Sequence, residues 1–76
     1  MKLNNGAKAI RWTGRLGGEI ETPYVGTVLA NVGDSRAHPF VVWSMTSEDG
    51  IAWDCYHGNY CETLTEAEEA FESRRI

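Results

Sequence analysis

The amino-acid sequence predicts an α+β protein that is mainly β. Four or five antiparallel strands form a meander, open or curled into a small barrel, with one C-terminal helix packed on it. Three observations carry this. Segments rich in β-branched and aromatic residues recur between clusters of Gly, Asp and Asn. The last dozen residues change to a helical period behind a capping signal. At 76 residues the chain has room for one domain only, here 1–76.

The elements follow in order. Residues 7–13 alternate, with Lys8, Ile10 and Trp12 on one face and Ala9, Arg11 and Thr13 on the other, and Thr13-Gly14 signals a turn. Gly17-Gly18 and several charges then read as a loop. Residues 24–32 form a second strand that starts after Pro23, which cannot donate to a ladder, and Gly26 within it marks a bend or bulge. Gly33-Asp34-Ser35-Arg36 turns the chain. Residues 38–46 form a third strand, and Asp49-Gly50 supplies a tight turn into a fourth at 51–56. A loop of two or four residues places Phe40, Val42 and Ser44 with Ile51, Trp53 and Cys55, and Val41, Trp43 and Met45 with Ala52, Asp54 and Tyr56. Both faces are largely apolar, so both need cover. His57-Gly58-Asn59 reads as another turn, before a short strand at 60–62. A helix then spans about 64–74, with Thr63 as N-cap and Glu66 at the third position of the first turn. Leu64, Ala67, Ala70 and Phe71 form its apolar stripe, while Glu62, Glu66, Glu69 and Glu72 face water.

Composition narrows the function. With 42% hydrophobic residues and eight aromatics the chain is no disordered segment. No apolar run approaches the ~18 residues of a membrane span. Met1 to Gly6 holds no apolar leader core, so a cytoplasmic protein without membrane association is expected. The net charge of −4 is unevenly placed: residues 1–38 carry +2 and residues 39–76 carry −6. An acidic chain is a poor general binder of nucleic acid, whose affinity comes from cations on phosphates, but it is steered toward basic protein surfaces.

Catalytic signals are sparse. Cys55, His57 and Cys61 fall within seven residues, and a turn at 57–59 would set the two cysteines opposite each other. Reduced thiols packing as small apolar groups, a cross-strand disulfide and a metal site all remain open, the first being the commonest in a cytosolic chain. Asp54 and Cys55 point to opposite faces of a strand, so they share no active site. No phosphate-binding glycine pattern is present. Neither enzymatic activity nor a cofactor is expected. The aromatics Trp43, Tyr56 and Tyr60 exceed what one helix can cover and are candidates for a protein-binding patch, together with Asp54, Glu62, Glu66 and Glu69.

Four segments carry a resemblance. Gly6-Ala7-Lys8-Ala9-Ile10-Arg11-Trp12, Val25-Gly26-Thr27-Val28-Leu29, Pro39-Phe40-Val41-Val42-Trp43 and Asp49-Gly50-Ile51-Ala52-Trp53 look like the strands of small SH3-like β-barrel domains. The likeness covers residues 6–56. A capped helix stands where that family has a short turn and final strand. Similar barrels are found among phage and mobile-element proteins, and anti-CRISPR proteins resemble the chain in size and acidity. With that analogy, the −6 second half, the helix acids and the surplus aromatics lead to the expectation of a non-catalytic interaction module: a phage-type inhibitor that blocks a basic, nucleic-acid-handling surface of a host protein. A monomer or a homodimer is expected, since small sheets need their edges covered. The alternative is a nucleic-acid-binding barrel that uses Lys8, Arg11 and Arg15.

Overall fold

A computed structural model of the chain describes residues 1–76. Its strands are β1 (Lys2–Leu3), β2 (Lys8–Leu16), β3 (Tyr24–Asn31), β4 (Phe40–Ser47) and β5 (Ala52–Cys61), followed by α1 (Leu64–Arg74). They form one sheet in the order β1-β5-β4-β3-β2. β2 to β5 are an antiparallel meander, and the short β1 joins β5 in parallel. The sheet curls into a half-barrel with α1 packed on its outer side, as the mainly β reading requires.

Two apolar clusters hold the curl. On the inner face Leu3, Val28, Ala30, Val41, Trp43, Met45 and Trp53 pack together. The tip of the Trp53 ring, from β5, lies 3.3 Å from where a Cβ would stand on Gly14 of β2. Those strands have β4 and β3 between them, so this contact can form only on a concave surface. Glycine at 14 leaves room for the indole. Gly26, paired with both Gly14 and Met45, is tighter still: a Cβ there would strike the Thr13 carbonyl oxygen and come within 2.8 Å of Met45 Cε. On the outer face Leu29, Val42 and Cys61 receive Ala67 and Phe71 of the helix. Full burial of a phenylalanine is worth about 1.5–3 kcal/mol, which makes Phe71 the main anchor of α1.

Helix capping follows the sequence. Glu66 N–H donates to Thr63 Oγ1 at 3.2 Å, and the Thr63 hydroxyl donates to Glu66 Oε1 at 3.3 Å. Ala67 and Phe71 are buried as expected and Ala70 is half-buried, but Leu64 is exposed.

Several strand details differ from the sequence reading. β2 continues through Gly14 to Leu16, because that glycine answers a packing need and makes no turn. A register shift at Ile10 places Ala9 on the Trp12 side rather than opposite it. The β4–β5 turn leaves an odd number of residues between the paired Thr46 and Asp54. Ser47 sets its length: Ser47 Oγ accepts from Gly50 N–H at 2.9 Å and donates to the Ala52 carbonyl at 2.5 Å, with Gly50 at φ +77°. The pairing parity is therefore inverted, and Trp53 and Cys55 share the face of Trp43 and Met45. The 57–59 segment is no turn. His57 at φ +52° and Gly58 form a bulge opposite Trp43, and β5 runs on unbroken to Cys61. Glycine at 58 gives the indole room: a Cβ there would lie 2.8 Å from Trp43 Nε1 and force the ring to shift.

Candidate functional site

The bulge separates residues that the sequence had grouped. Cys55 packs against the inner cluster and Cys61 belongs to the outer one, so the two thiols face opposite sides of β5. Both are free, and His57 lies edge-on to Tyr56 at 5.1 Å. The Cys55–His57–Cys61 trio is not gathered into one coordination sphere. Burial pushes the Cys55 thiol up to about 11, and the neighbouring Asp54 charge adds to the shift. Burial, then Glu66, raises Cys61 as well. Neither has the depressed pKa of a reactive thiolate.

The candidate partner-binding residues fall into three places. Trp43 is only 8% exposed and serves the core, against the expectation of a surface anchor. It meets Tyr60, 63% exposed, at a cleft of about 580 Å³ at one end of the half-barrel, which Lys8 and Arg36 also line. Asp54 and Tyr56 are exposed on the outer side of β5, where Asn4 Nδ2 donates to Asp54 Oδ1 at 2.8 Å. Glu62, Glu66 and Glu69 occupy the helix and its approach.

The helix acids are not equivalent. Glu72 is occupied twice, by Arg11 at 2.6 Å and by Arg75 at 3.2 Å. Glu62 lies 3.8 Å from His38 Nε2, an ion pair only when the imidazole is protonated. Glu66, Glu68 and Glu69 have no cationic partner and stand exposed. Their unpaired charge is on a helix that the outer cluster holds in place.

The basic alternative disperses. Arg11 lies on the outer face, ion-paired with Glu72 and with its guanidinium 4.8 Å from the centre of the Phe71 ring. It pins β2 to the helix. Lys8 reaches the end cleft, while Arg15 Nη1 bonds the Leu16 carbonyl at 3.3 Å. With Arg11 turned to the helix, only Lys8 and Arg15 remain along the β2 edge, so the three form no common basic stripe.

Arg74 is the residue that the sequence reading missed. Its guanidinium donates to the Val42 carbonyl, to Asn59 Oδ1 at 2.6 Å and to Ser44 Oγ at 2.9 Å. Thr27 Oγ1 donates to its backbone carbonyl at 3.3 Å. A cation in the last turn of a helix suits the helix dipole, but Arg74 does more. It holds α1 to three strands and thereby sets where the acidic face looks.

No helix is long and apolar enough to cross a membrane. Comparison with protein families, with curated proteins and with solved structures finds no match to this chain.

Proposed function

We propose that the protein is a non-catalytic interaction module that docks its acidic helix on a basic, nucleic-acid-handling surface of a host protein, as a small phage-encoded inhibitor of SH3-like architecture. The observation that carries this reading is the set Glu66, Glu68 and Glu69, exposed and free of cations on a rigidly docked helix. Fixed like charges on one face raise association rates with an oppositely charged surface and favour that partner over others. Direct nucleic-acid binding is supported less well, since Arg11 is already neutralised and the net charge is −4.

The test is charge reversal. The tagged chain is used to capture its partner from host extract, the partner is identified by mass spectrometry, and affinity is measured with purified components. Glu66→Lys with Glu69→Lys should weaken binding at least tenfold while changing the melting temperature by only a few degrees. Unchanged affinity would remove the electrostatic reading. Salt-sensitive binding of oligonucleotides by the wild-type chain alone would replace it with the nucleic-acid reading.

A further inference from the structure

The half-barrel has an open seam. β2 and β1 are the two edges of the sheet, and no ladder joins them. β1 is two residues long, whereas β2 has nine, none of them buried. Most of β2 therefore presents one side of its backbone without a strand partner. Such an edge is normally blunted by proline, by a bulge or by a covering loop. Here the bulge is at Ile10, and Trp12 to Leu16 run on in regular pairing with β3. The part of β5 that the short β1 leaves uncovered differs, because the bulge at His57 and Gly58 distorts it.

The seam also offers side-chain sites. Two clefts, of about 340 and 370 Å³, flank Trp12, and Met1 lines both. Trp12 is 49% exposed and Leu16 65%. An added strand places alternate side chains on one face, and clefts spaced along an edge receive them.

Charge selects the occupant. Lys2 and Lys8 line the first cleft and Arg15 the second, and none of the three has an ion-pair partner. Asp49 is the one acid lining either cleft. Its Oδ1 already accepts from Ile51 N–H at 2.8 Å and from Ala52 N–H at 3.1 Å. We infer that the free edge of β2 accepts an extended acidic segment of a partner protein by strand addition, with apolar side chains seated beside Trp12 and carboxylates paired with Lys2, Lys8 and Arg15. A second copy of the chain is disfavoured, since it would bring two basic edges together. This site is separate from the helix face, and either can fail without the other.

The test is a nuclear magnetic resonance titration of the full ¹⁵N-labelled chain. The probe is a blocked octapeptide alternating glutamate and valine, and the control has lysine in place of glutamate. Shifts confined to β1, to residues 12–16 and to the Trp12 indole N–H are expected with the acidic peptide at high micromolar to millimolar concentration. Trp12→Lys should weaken the response at least fivefold with the rest of the spectrum preserved. Lys8→Glu with Arg15→Glu should transfer the preference to the lysine peptide, a readout that holds even if Trp12→Lys perturbs the fold. No shifts at millimolar peptide, equal response to both peptides, or shifts centred on α1 would overturn the proposal. So would sedimentation showing a dimer broken by Trp12→Lys, which would make a second copy the occupant.

Discussion

The guanidinium of Arg74 donates to the carbonyl of Val42 at 2.8 Å, where the β4–β5 ladder changes register around the His57–Gly58 bulge. A bulge disrupts the ladder locally, and a helix side chain supplies a donor at this one. The helix is thus fixed to the sheet by a charged polar clamp at one end and by Phe71 further back along it.

Removing the clamp should therefore loosen the helix. Arg74→Ala is expected to lower stability by about 2–3 kcal/mol, since it deletes charge-assisted hydrogen bonds and leaves the Val42 carbonyl without this donor. Arg74→Lys should recover part of the loss, because one ammonium cannot span three acceptors in a planar fork. Urea denaturation of the three proteins checks the order.

Gly26 should tolerate no side chain. An added methyl would meet the Thr13 carbonyl, which is backbone and cannot swing aside, as well as Met45 Cε. Gly26→Ala is expected to cost about 3 kcal/mol, at the upper end for overpacking. Gly14→Ala faces only the edge of the Trp53 ring at 3.3 Å and should cost less. Thermal melts of the two variants compare them directly.

Cys55 gives a pH signature. Its thiol ionises at about 11 in the folded chain against 9.0 when free, chiefly through burial and then through Asp54. Between those values the folded chain keeps a proton that the unfolded chain has released, so stability is complete below pH 9 and falls as pH rises toward 11. Cys55→Ser should flatten that decline in denaturation curves. Alkylation of Cys55 at pH 8 should be slow until the chain unfolds.

The sequence made the meander and the helix legible because strand and helix periods are local properties. Thr63 and Glu66 announced the helix start, and the run from Phe40 to Thr46 announced β4. Face assignments in β5 were not legible. They depend on whether the turn after β4 has an odd or an even number of residues, which Ser47 decides through its hydroxyl. One residue there exchanged the environments of Trp53 and Asp54, and the bulge exchanged the faces back before Cys61. Gly58 was the available signal: a glycine between polar residues suggests a turn, but opposite a tryptophan it serves close packing. β1 gave no signal, because two residues carry no period. The part played by Arg74 was hidden for a related reason, since its acceptors come together only once the bulge exists.

On the proposed function, the acidic face of α1 occupies the surface on which the partner holds nucleic acid. The most direct measurement is competition: purified partner is loaded with a fluorescent oligonucleotide, and increasing amounts of this protein are added while anisotropy is followed. Stoichiometric release of the oligonucleotide, lost on reversing Glu66 and Glu69 to lysine, is the predicted result. A stable ternary complex, in which protein and oligonucleotide stay bound to the partner together, would contradict it.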